Sequence, residues 1–167
     1  MEIKKILLAT DFLAGSAHAT PYAADLAARY GAKLYVVHVL QDLGKLTEWY
    51  APKVNLAELK KTMEEKSKQE LQRCCTEGIG GYKNVEYRLL TGVPHEEILK
   101  FQRDNNIGLI VIGTNSRKAA GAKEVFGSTA DRLVKYATCP VLTVIPTGEE
   151  LPESKDPKLC SDGEIRF

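Results

Sequence analysis

The chain has 167 residues, 44% of them hydrophobic and 27% charged, the composition of one ordinary globular domain long enough to bury a core. Its 23 basic and 22 acidic groups leave a net charge of +1, so no strong overall field points to nucleic acid or an anionic membrane as a partner. The longest apolar runs, "KILLAT", "LYVVHVL", "LIVIG" and "PVLTVI", are too short to span a bilayer and the start "MEIKK" lacks a secretory signal core, so a cytoplasmic protein is expected.

In chain order, "IKKILLAT" is a short run rich in branched residues and reads as a buried strand ending at Thr10-Asp11-Phe12. "ATPYAADLAARYG" reads as a helix capped by Ser16 or Thr20, with Pro21 in its first turn and Gly31 at its end. "AKLYVVHVL" is a second buried strand, so the first three elements form a parallel βαβ unit. From Gln41 to about Leu56 the text is irregular and reads as a long connection carrying Trp49. A helix follows to Glu77, with Leu56, Leu59, Met63, Leu71 and Cys74 near one stripe.

"NVEYRLLTG" is a third strand, "VPHEEILKFQRDNN" a helix with Pro94 in its first turn, and "IGLIVIG" a fourth strand. "VFGSTADRLVKYA" is a further helix, and Pro140 opens a fifth strand, "VLTVIP". Five strands alternating with four helices imply an α/β fold, a single doubly wound domain with a parallel sheet. That domain occupies residues 1–147. Residues 148–167 are polar, with two prolines, six acidic and three basic residues, and read as a poorly ordered tail.

Ligands of such a sheet bind beyond the carboxyl ends of its strands, where strand order reverses. Two strand ends carry useful groups. Asp11, after Thr10, offers a carboxylate to an amino group or a ribose hydroxyl, or it caps a turn. Gly127, Ser128 and Thr129 offer backbone N–H groups and two hydroxyls at a helix N-terminus, where the dipole favours an anion; they could equally be an N-cap. Between Gly113 and Gly127 lie Arg117, Lys118 and Lys123 as phosphate partners.

Other chemistries lack their signatures. "GAKEV" does not complete a P-loop, and "GIGG" precedes a strand instead of opening a helix. His18, His38 and His95 fall in separate elements with no cysteine at metal spacing, so no metal site is expected; His38 reads as a packed strand residue. No nucleophile motif is present. Cys74, Cys75, Cys139 and Cys160 have neither C-x-x-C spacing nor the scatter of a disulfide framework.

Taken in order, "KKILLATDF", "YAADLAARYGAKLYVVHVL", "LLTGVPHEEILKF", "NIGLIVIGTNS" and "VFGSTADRLVKYATCPVLTVIP" resemble the universal stress protein family of the A type over nearly all of residues 1–146. The resemblance implies an adenine nucleotide alpha hydrolase-like sheet in the order 3-2-1-4-5. It also implies a homodimer through the last strand, Val141 to Ile145. Its nucleotide-binding branch carries Gly, two residues, Gly, nine residues, then Gly and Ser or Thr. Here Gly113 and Gly127-Ser128 match, Ser116 replaces the middle glycine, and ten residues instead of nine follow it. The resemblance then assigns Asp11 and Val39 to adenine and ribose, Gly113 to ribose or phosphate, and Gly127, Ser128 and Thr129 to phosphate; Thr10 and Ser116, beside them, are counted with the nucleotide-binding residues. Arg117 is added from its charge. ATP or AMP, with Mg2+ as an accompanying ion, is the implied ligand of a stress-response module acting through dimer and partner contacts. A signalling or scaffold member that binds no nucleotide is the alternative, and slow ATP hydrolysis is the most that an enzyme reading would allow.

Overall fold

The structure is a computed structural model that describes residues 2–41, 56–114 and 127–145, with the side chains at 56, 57, 72 and 74–77 left aside. Its elements alternate as β1 (Lys5–Ala9), α1 (Ala14–Tyr30), β2 (Lys33–Leu40), α2 (Leu56–Gly78), β3 (Val85–Thr91), α3 (Pro94–Asp104), β4 (Leu109–Gly113), α4 (Ser128–Tyr136) and β5 (Val141–Val144). The strands form one sheet in the order β3-β2-β1-β4-β5, every neighbouring pair parallel. The expected topology is therefore present. Among the described residues no helix is long and apolar enough to cross a membrane.

β1 lies at the centre, and its consecutive Ile6, Leu7 and Leu8 are fully buried because helices cover both faces of the sheet. Ile6, Leu8, Leu34, Val36 and Val111 pack with Ala19, Ala23 and Ala27 of α1 and Leu71 of α2. On the other face Leu7, Val37, Ile110 and Ile112 pack with Ile98 and Leu99 of α3 and with Ala130 and Leu133 of α4. Each fully buried large aliphatic side chain contributes about 1.5–3 kcal/mol. The helices change faces between β1 and β4, so the chain's topological switch point lies at the carboxyl ends of those two strands.

Two helix expectations are corrected. α1 starts at Ala14, with Leu13 as its N-cap, and Pro21 lies inside it. The segment 14–19, small residues apart from His18, carries no periodic apolar signal, so its helical start is set by contacts and not by pattern. Ser16 and Thr20 do not cap it: both hydroxyls are buried within the helix, and Thr20 Oγ1 donates back to Ser16 O at 3.0 Å. Gly31, with φ of 61°, ends α1 as expected, its left-handed backbone suiting glycine. In α2 the anticipated stripe is only partly used, since Leu71 is buried while Leu59 is exposed. α2 packs near its end, where Gly78 sits against Thr20 and Pro21 of α1.

Candidate functional site

The register places the candidate residues in one row. Ala9 is level with Val37 of β2 and with Ile112 of β4. Two residues further along each strand, Asp11, Val39 and Thr114 stand at the carboxyl edge of the sheet, with Thr10 and Gly113 just below. Gly127–Thr129 open α4 on the face of the sheet that α3 also covers. Ser116 and Arg117, together with Lys118, Lys123 and the tail, lie outside the described residues.

The first junction, from β1 into α1, is tied together by short polar side chains. Asp11 Oδ1 accepts from Leu13 N–H at 3.0 Å, an Asx-type turn, and from the Ser16 hydroxyl at 2.8 Å; that hydroxyl also lies 2.9 Å from Leu13 O. Thr10 Oγ1 donates to Ser16 Oγ at 3.1 Å and accepts from Phe12 N–H at 3.2 Å. Asp11 thus does act as a turn fastener, and its Oδ2 has no hydrogen-bond partner among the described residues. The side chain is exposed, so that second oxygen faces solvent at the sheet edge.

Gly113 belongs to the same junction. A Cβ added there would fall on the backbone of Gly15 and within 2.7 Å of Ser16 N, so the first turn of α1 rests directly on the end of β4. Glycine at 113 is demanded by this close approach of backbones. Thr114, fully buried, continues the strand edge by donating its N–H to Val144 O at 2.8 Å. Val39, buried, packs on the α3 and α4 face.

The second junction, the entry to α4, is different in kind. Gly127 is the N-cap, in an ordinary extended conformation (φ −64°, ψ 154°), and among the described residues no side chain caps the helix. Nothing among the described residues lies within 4 Å of a Cβ added to it. Gly127 O accepts from Asp131 N–H, while the N–H groups of the first turn face outward as every helix leaves them. Ser128 is exposed and Thr129 half-buried, so two hydroxyl-bearing residues and the first-turn N–H groups share the positive end of the helix dipole.

Sequence reading missed how His38, Phe12, Ser16 and Gly15 shape this edge. His38 is half-buried, its Nδ1 lies 2.7 Å from Thr10 O, and the Phe12 ring is tilted against it at 4.1 Å between centroids. Burial pushes the His38 imidazole below its ordinary value of 6.5, opposed by the bond to Thr10 O and by the charge of Asp11. A histidine inside "VVHVL" carries no sign of a partner 28 residues away, so only the fold reveals the contact. Burial also raises the Cys139 thiol above its usual range, which opposes thiolate chemistry there. Among the described residues no three His, Cys, Asp or Glu side chains converge as a metal site.

Comparison with known proteins gives four findings. The family model described as the universal stress protein family matches residues 2–144. Universal stress protein MJ0531 of Methanocaldococcus jannaschii is 30% identical over 146 residues, covering 84% of this chain and 81% of that protein. Among solved structures, protein MJ0577 of the same organism aligns with a TM-score of 0.70 at 25% identity, over 89% of this chain and 100% of that one. A universal stress protein from Archaeoglobus fulgidus in complex with dAMP aligns with a TM-score of 0.56 at 23% identity, over 86% and 98% of the two chains, a likeness of fold.

Proposed function

The chain belongs to the universal stress protein family, and on that premise we propose that it binds an adenine nucleotide, ATP or AMP, in the crevice beyond β1 and β4. The observation that carries the proposal is Gly127. Nothing among the described residues requires glycine there, since its φ and ψ suit any residue and none of them lies within 4 Å of an added Cβ; a ligand approaching the backbone gives the glycine a reason. The N–H groups of α4 and the Ser128 and Thr129 hydroxyls take the phosphates, with Ser116 and Arg117 assigned to the same end of the nucleotide. Thr10, Asp11 and Val39 take the adenine and ribose, and Gly113 borders them. A universal stress protein of this fold holds dAMP, which supports an adenine ligand.

A magnesium ion, if it accompanies the nucleotide, would be held by the phosphate oxygens, since Asp11 is given to the base and ribose. The proposed activity is binding. Nucleotide occupancy would bias dimer and partner contacts in a stress response. β5 supports the dimer as a sheet edge paired on one side to β4, with Ile145 exposed beside it. Sedimentation of the wild type and of Ile145→Lys tests that part: a dimer that the charge dissociates supports it, and a monomeric wild type removes it. Isothermal titration with ATP and with AMP tests the site, with saturable heat expected; no heat at millimolar ligand would leave the family's branch that binds no nucleotide.

A further inference from the structure

In a parallel pair, alternate residues of one strand turn their N–H and C=O toward a given neighbour. The phase between β1 and β2 is fixed by two rungs: Lys33 N–H donates to Lys4 O, and Thr10 N–H donates to Val37 O, both at 2.9 Å. Continuing that phase, Val39 N–H points toward β1 and Thr10 O is its acceptor. Among the described residues this rung is not formed. β1 accordingly ends at Ala9, and Thr10 O instead meets His38 Nδ1 at 2.7 Å.

The next two residues turn the chain away. Phe12 has a φ of 63°, a left-handed conformation that costs a residue with a Cβ about 1–2 kcal/mol and that clusters at functional sites. Its ring lies against His38 and its N–H is held by Thr10 Oγ1, so two contacts brace the strained residue. A carbonyl accepts only, so the contact with Thr10 O requires hydrogen on Nδ1. Burial holds the ring neutral near pH 7, which fixes the Nδ1–H tautomer.

We infer that His38 is a positioning residue for the crevice: by occupying Thr10 O and bracing Phe12, it ends the β1/β2 ladder one rung early. Val39 N–H is thereby left as a backbone donor, level with the Asp11 carboxylate, for the edge of a purine base. The inference rests on the nucleotide reading above and adds the device that opens the strand edge to the base. A donor and an acceptor at one level match the ring nitrogen and exocyclic amino group that adenine presents side by side.

Amide hydrogen exchange by NMR tests the device without ligand: in the wild type Val39 N–H exchanges at least about tenfold faster than Val37 N–H on the same strand. In His38→Phe, which keeps a ring but loses the donor, Val39 becomes as protected as Val37 and ATP affinity falls at least about tenfold. His38→Asn keeps a donor near the Nδ1 position and restores affinity to within about threefold of wild type. Equal protection of Val39 and Val37 in the wild type, or an unchanged ATP affinity in His38→Phe, overturns the inference. If the wild type gives no heat with ATP, the nucleotide reading falls, while the exchange comparison still decides whether His38 opens the ladder. Should His38→Phe fail to fold, the wild-type exchange ratio and the His38→Asn titration carry the same decision.

Discussion

The two strand-to-helix junctions at the carboxyl edge are built on opposite plans. From β1 to α1, Thr10, Asp11, Ser16 and His38 bond to one another and to the turn backbone, and Gly113 lets the first turn of α1 sit directly on β4. At the entry to α4, no described residue crowds Gly127 and no described side chain caps the helix. The first junction spends most of its polar groups on itself, leaving Asp11 Oδ2 outward, and forms a fixed wall. The second keeps N–H groups and hydroxyls in reserve, which is what a phosphate needs. A family motif that treats Gly113 and Gly127 as equivalent glycines joins two residues with different physical reasons.

Substitution separates them. Gly113→Ala drives a methyl group into the backbone of Gly15 and should destabilise the fold by about 3 kcal/mol, the upper end of overpacking costs. For a chain of this size that lowers Tm by roughly 6–12 °C, and a loss below 1 °C in a calorimetric scan would break the contrast. Ser16→Ala removes the acceptor of Thr10 and one donor to Asp11, and should cost about 1–2 kcal/mol, read as a lower urea midpoint at unchanged slope.

The fold was legible where side chains repeat a pattern. β1, β2 and β4 are short runs of branched residues buried on both faces, and Pro94 at the first position of α3 marks its start as proline should. The start of α1 was not legible because it depends on Gly15 meeting Gly113, residues 98 apart in the chain, and on a turn fastened by Asp11. Leu59 looked like part of a buried stripe, but it is exposed, and among the described side chains of α2 Leu71, toward the far end, is the buried one. The site's outline was legible through strand ends and the Gly-Ser-Thr helix start. The role of His38 was not, since alternation identifies which face a residue occupies and says nothing of the carbonyl it will meet.

A smaller effect sharpens the fixed wall through its titration. The imidazole of His38 is depressed in the folded state, mainly by burial, so unfolded chains take up protons first as the pH drops. Stability attributable to His38 is full above pH 6.5, the ordinary value, and declines as the pH falls toward the depressed folded value. Thermal midpoints measured from pH 7 to 5 should therefore fall in the wild type and fall less in His38→Asn; parallel curves would show that His38 is not the titrating group.

Gly127→Ala should change stability least, within about 0.5 kcal/mol, because the modest preference for glycine over alanine at an N-cap and the lower entropy of an unfolded alanine chain oppose each other. Its effect falls on the ligand. Isothermal titration of ATP and AMP into the wild type and Gly127→Ala, at matched Tm, tests the central claim most directly: saturable binding weakened at least about tenfold by the methyl group is the predicted result, and the absence of heat in the wild type, or equal affinity in both proteins, would contradict it.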